Sequence, residues 1–207
     1  PHTENIEIYT NAEEVELFLN NKSLGTQKLH ADASPITYQV PFEPGTLKAV
    51  ARTNGKIIAE DELRSAGKPA RLRLSTGLTA AHLTNPPHPE ATPTLTPDWN
   101  DLAYITATLV DANNTVIPDS ATVIHFAATG SGKIIAVDNG NLLDHDPFQS
   151  PTPEKDRKLY EGHAIAILRA TAPSGEITIA ANADGLPPAT LTLKTSPAKS
   201  SITPRSF

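Results

Sequence analysis

Nineteen prolines are spread through the 207 residues, close to twice the ordinary usage of about 5%. Each removes a backbone donor and fixes φ, so a long helix would be broken wherever one fell in its interior. No stretch sustains an apolar 3.6-residue period either. What remains is a chain of short alternating runs separated by turn residues, which is the pattern of an all-β fold. At this length two sandwiches of about 100 residues each are the natural division.

The alternation is clearest near the start. Ile6, Ile8, Val15, Leu17 and Leu19 alternate with polar neighbours. Asn20-Asn21, tolerant of positive φ, turns the chain into Ser23-Leu24-Gly25 and makes a hairpin. Ile36 to Val40 forms the next strand, ended by Pro41 and Pro44-Gly45. Thr46 to Thr53 and Lys56 to Leu63 pair across Asn54-Gly55, a strong two-residue hairpin signal. From Thr76 to Asp101 the prolines at 86, 87, 89, 93 and 97 favour an extended surface loop over a strand. Strands resume at Leu102 to Val110, Val123 to Ala128 and Lys133 to Val137, the last two separated by Gly130 and Gly132. Gly140 to Asp156 reads as a polar loop, and Leu159 to Arg169, Glu176 to Ala181 and Leu191 to Leu193 complete a sandwich of about seven strands. Ser196 to Phe207 loses the pattern and reads as a flexible tail.

Charge and composition exclude several classes. With 17 basic and 23 acidic residues, net charge −6, the chain lacks the basic footprint of a nucleic-acid binder. There is no cysteine, hence no disulfide framework or zinc-thiolate site. No run is long and apolar enough to span a bilayer, and residues 1 to 20 lack a signal-peptide layout. No G-x-S-x-G elbow or phosphate-binding glycine loop occurs. No cofactor is expected. The absence of methionine and the start at Pro1 read as signs of an excised piece.

Several residues are candidates for a site. Asp138-Asn139-Gly140-Asn141-Leu142-Leu143-Asp144-His145-Asp146 gathers oxygen ligands that suit calcium or sugar hydroxyls, without the ordered spacing of an EF-hand. Trp99, the sole tryptophan, could stack on a pyranose or anchor its loop to the sandwich. Trp99, Asp138, Asn139, Asp144, His145 and Asp146 are therefore the candidate carbohydrate contacts. Glu13, Glu14 and Glu16, like Glu60, Asp61 and Glu62, read as solvated carboxylates guarding strand edges. His82, His88 and His125 form no metal motif. Tyr9, Phe18, Tyr38, Phe42, Tyr104, Phe126 and Tyr160 lie in or beside apolar patterns and are expected in cores.

Two runs, Ile8 to Gly25 with its E-V-E-L-F-L-N and Val40 to Ala51 with P-F-E-P-G-T-L-K-A-V, resemble the immunoglobulin-like domain that follows the catalytic barrel in family 2 glycoside hydrolases, chiefly bacterial β-galactosidases. Gly55 to Leu74 resembles the join to the next domain. Asp101 to Ala112, Ala136 to Gly140 and Lys158 to Gly162 resemble the invasin-like C-terminal domain of the same enzymes. The resemblance spans about residues 4 to 195. It implies two tandem immunoglobulin-like β-sandwiches, at 1–68 and 69–195, with a proline-rich insertion at 83–99 and a tail at 196–207.

It also implies an accessory, non-catalytic region of an enzyme of carbohydrate metabolism. Its partner would be the upstream catalytic domain of the same polypeptide, with a homodimer in the full-length enzyme and a periplasmic or secreted location. A retaining glycosidase needs two carboxyl groups about 5 Å apart. In this family both stand on the barrel, the acid/base after an Asn, and no Asn-Glu pair occurs here. Two alternatives are a carbohydrate-binding module recognising an oligosaccharide or polysaccharide, and an adhesion array in which the sandwiches are spacers.

Overall fold

The computed structural model describes residues 2–76, 94–97, 101–149 and 155–197. The described residues hold fifteen strands and no helix, and the chain separates into two compact units, Pro1–Ala66 and Gly67–Phe207.

In the first unit β1 (Thr3–Ile8) pairs antiparallel with β4 (Ile36–Pro41) as a two-stranded sheet. The opposing sheet holds β2 (Glu14–Leu19), β3 (Lys22–Lys28), β5 (Thr46–Thr53) and β6 (Lys56–Arg64) in the order β3-β2-β5-β6. The two hairpins form where turn chemistry places them: Asn20 and Asn21 have φ of 49° and 65°, Asn54 and Gly55 of 52° and 72°. Positive φ at both central residues gives the turn whose twist matches the strands it joins. Val15 and Leu17 meet Ile36, Tyr38, Val40 and Ala51 in the core. The buried Tyr38 hydroxyl lies 2.8 Å from the carbonyl oxygen of Val15 and 3.1 Å from that of Gly25. Burial pushes its ionisation up from the ordinary value.

The second unit is a sandwich of two larger sheets. One has β7 (Arg71–Thr76), β9 (Ala103–Val110), β11 (Gly132–Asp138) and β13 (His163–Ala170) in the order β11-β13-β9-β7. The other has β8 (Thr94–Leu95), β10 (Val123–Gly130), β12 (Lys155–Lys158), β14 (Gly175–Asn182) and β15 (Ala189–Thr195) in the order β12-β10-β14-β15-β8. Ile105, Leu109, Ile124, Phe126, Leu168, Ile177, Ile179 and Leu193 fill the space between them. The all-β, sandwich character expected from the sequence is what the chain adopts.

Several local expectations are corrected. Arg71 to Leu74, read as part of the join, belongs to a strand paired with β9. The proline-rich stretch was expected to hold no strand, yet Thr94–Leu95 pairs parallel with β15 and Leu95 is fully buried. Asp101 makes this possible, because its Oδ2 accepts hydrogen bonds from the amide and the hydroxyl of Thr96 at 2.7 and 2.8 Å. The polar loop ends before Asp156, at β12. Only Ser131 lies between β10 and β11, where the chain crosses from one sheet to the other. Gly130 permits the crossing at φ 88°, and a Cβ there would collide with the carbonyl oxygen of Glu176. Among the described residues nine strands stand in this unit where about seven were expected.

The aromatic residues divide by face. Tyr38 and Phe126 are buried, whereas Tyr9, Phe42, Tyr104 and Tyr160 are exposed. Phe42 stacks on His2 at 5.0 Å, and the Tyr9 hydroxyl donates to Glu7. The acidic runs are also better partnered than edge guards. β2 lies inside its sheet, where Glu16 bonds Arg52 and Ser23 and Glu13 accepts the Asn54 amide at 2.8 Å, fixing the second hairpin turn. Glu60 and Glu62 do lie on an edge strand, paired with Lys48 and Arg64.

Candidate functional site: the loop after β11

The loop that follows β11 organises itself by side chains substituting for backbone partners. Asp138 accepts the amides of Asn139 and Gly140 at 2.7 and 3.2 Å. Asn139 accepts the Asn141 amide at 2.9 Å, and Asn141 accepts that of Leu143 at 3.0 Å. Asp144 accepts the Asp146 amide at 2.9 Å. Asp and Asn make such turns readily because their side chains mimic a backbone carbonyl.

At the centre stands Arg157 of β12, 1% exposed. Its Nη1 lies 3.2 Å from Asp144 Oδ2 and donates to the Asp146 carbonyl. Its Nη2 donates to the carbonyls of Val137 and Pro147 at 3.1 and 2.7 Å. Phe148 places its ring 5.7 Å from the guanidinium, close enough for a cation–π contact. Asn139 spans the other side, giving its amide to Asp144 at 2.7 Å and to the Lys158 carbonyl at 3.0 Å. A planar fork of five donors suits such a cluster of carbonyls and one carboxylate. The Asp146 amide, followed by Arg157 and Asn139, holds the Asp144 carboxyl below the usual carboxylate range.

Of the candidate contacts, Asp138, Asn139 and Asp144 thus converge, but on the loop's own backbone and on Arg157. His145 and Asp146 are exposed beside them. Trp99 lies outside the described residues, as do His82 and His88. Among the described residues no group of three His, Cys, Asp or Glu side chains is placed to hold a metal. Arg157 was not foreseen: it follows directly on the stretch read as a polar loop, Gly140 to Asp156, and the pairing of β12 with β10 turns it inward. The loop's outer tip is apolar instead of sugar-like, with Leu142 94% and Leu143 82% exposed.

Residues 90–192 match the family described as glycoside hydrolase family 2 C-terminal domain 5, and residues 3–59 match a domain of unknown function (DUF4982). A β-galactosidase of Bacteroides ovatus, BoGH2A, is 34% identical over 183 residues, 88% of this chain and 19% of that protein. The chain belongs to the C-terminal region of family 2 glycoside hydrolases. A putative β-glucuronidase of Formosa agariphila is 30% identical over 165 residues, 79% of this chain and 14% of its own length. The crystal structure of a family 2 member from Bacteroides cellulosilyticus superposes with TM-score 0.78 and 31% identity, covering 94% of this chain and 23% of that one. The chain therefore spans about a fifth or less of the curated relatives named here. What it matches is the family's C-terminal domain and not its catalytic barrel.

Proposed function

We propose that the two sandwiches are the accessory, non-catalytic tail of a β-galactosidase-like enzyme, bracing its catalytic barrel. One observation carries this reading: a single match to a β-galactosidase runs through 88% of the chain, so the two domains occur together as they do in that enzyme. The loop geometry supports it. Polar side chains that a sugar site would present outward are spent on holding the loop, while Leu142 and Leu143 stand out as an apolar tip suited to packing on protein. A glycan-contact reading would have to rest on Trp99, His145 and Asp146.

The native gene product tests this directly. An antibody raised against the 207-residue chain should detect a band several times heavier than 22.0 kDa, and the purified product should hydrolyse a β-galactoside that the 207-residue chain leaves intact. A band at 22 kDa would overturn the proposal.

A further inference from the structure

The first unit is a sandwich with one layer half built. Its four-stranded sheet faces a sheet of only two strands, β1 and β4; Ala51 of β5 is buried in the core they share, but β6 is exposed along its whole length. The side chains that β5 and β6 turn to this face follow from the register: Leu47 opposite Leu63, Ala49 opposite Asp61, Ala51 opposite Ala59. With Ile6, Ile8, Val15 and Leu17 they line an open groove of about 380 Å³. Leu63 is 65% exposed although it points to the layer where a core should be.

The groove runs along an edge of β1 that has no partner strand among the described residues. The amide of Phe42 bonds the carbonyl of His2 at 2.9 Å, and Thr3 stands opposite Pro41. In an antiparallel ladder hydrogen-bonded and non-bonded pairs alternate. Glu4, Ile6 and Ile8 therefore direct their N–H and C=O groups to β4, and Thr3, Asn5 and Glu7 direct theirs to the open side. Pro41 fits this register, since its missing donor would have faced away from β1. A strand edge unpaired among the described residues, beside a largely apolar trough, is a template for one further strand.

We infer that this edge and groove receive a single extended segment of the same polypeptide from the region upstream of residue 1, hydrogen-bonded to β1 and burying alternate apolar side chains against Leu47, Ala49, Ala59 and Leu63. The inference rests on the accessory-tail reading. BoGH2A carries about four-fifths of its length outside the matched region, so a polypeptide of that length has chain to supply such a segment. Nine of the fourteen lining residues are Ile, Leu, Val or Ala, and the rest are Tyr9, Thr10 and three carboxylates, a largely apolar lining that suits an extended apolar segment better than a free sugar. Asp61, on the inward face opposite Ala49, calls for a cationic or hydroxyl side chain on the incoming strand.

Hydrogen exchange read amide by amide on the 207-residue chain and on the native gene product tests this. The amides of Thr3, Asn5 and Glu7 should exchange about 100-fold more slowly in the longer product. Those of Glu4, Ile6 and Ile8, already bonded to β4, should change far less. Ala59→Trp in the longer product fills the groove from an exposed edge position, so it spares the core. It should return the first three amides to fast exchange. Equal exchange in both proteins overturns the inference and leaves the accessory role standing, whereas a native product no longer than this chain overturns both. Protection already present in the 207-residue chain overturns it too, and would assign the edge to a second copy if it rises with concentration or to the chain's own remaining residues if it does not.

Discussion

Removing the Arg157 guanidinium would leave three carbonyl oxygens and the Asp144 carboxylate without their shared donor. Arg157→Met, close in volume, should therefore lower unfolding stability by about 3 kcal/mol in urea denaturation, the range for breaking a buried charged network from one side. The loss should come with faster proteolysis between Asp138 and Gln149, where the loop backbone depends on that residue. Tyr38→Phe should cost about 1 kcal/mol, since only the hydroxyl bonds to Val15 and Gly25 disappear while the ring still fills the core. At this scale the sequence was an uneven guide. Asp138, Asn139 and Asp144 were legible as a polar cluster, because Asp and Asn next to glycine mark a turn. Arg157 was not, because nothing in a run of charged residues says that a distant strand will bury alternate ones, Lys155 and Arg157.

The hairpins were the elements most open to reading, and the reason is local. Asn20-Asn21 and Asn54-Gly55 reverse the chain through their own φ preferences, so no distant contact has to be known. Gly55→Ala should cost about 1 kcal/mol in thermal unfolding, as a side chain is placed at positive φ, although open space surrounds the position. β8 is the opposite case. Two residues among prolines have no periodicity, and the strand exists because Leu95 reaches the core and Asp101 ties down Thr96. Leu95→Ala should remove about 3 kcal/mol by urea denaturation, within the range for a buried leucine. β12 was hidden for the same reason, its residues being strand-like only beside β10.

At the scale of the whole molecule, acid should weaken the second unit through identifiable carboxylates. The Gly67 amide, with those of Thr115 and Asn113, lowers the Asp111 pKa below its ordinary value, as the Asp146 amide does for Asp144. A carboxyl group with a depressed folded pKa contributes stability that is fully present above its unfolded value, roughly pH 4, and is lost as pH falls through the folded one. The melting temperature should therefore stay level with respect to these two groups at pH 5 to 7 and drop below about pH 4. Asp111→Asn and Asp144→Asn should each flatten the drop. In the native gene product, Leu142→Asp with Leu143→Asp should lower the melting temperature, while the same pair in the 207-residue chain should leave it nearly unchanged, since both side chains are solvated there.

The sequence by itself determined the strand class, the two asparagine hairpins and the kinship with a glycosidase tail, because alternation, turn φ preferences and short motifs act within a few residues of each other. The tertiary structure decided which strands share a sheet, that Arg157 and Leu95 are interior, and that β1 has an edge unpaired among the described residues beside an open, largely apolar groove. Those outcomes depend on which distant strand lies alongside, and burial is a property of the pair, not of either strand alone.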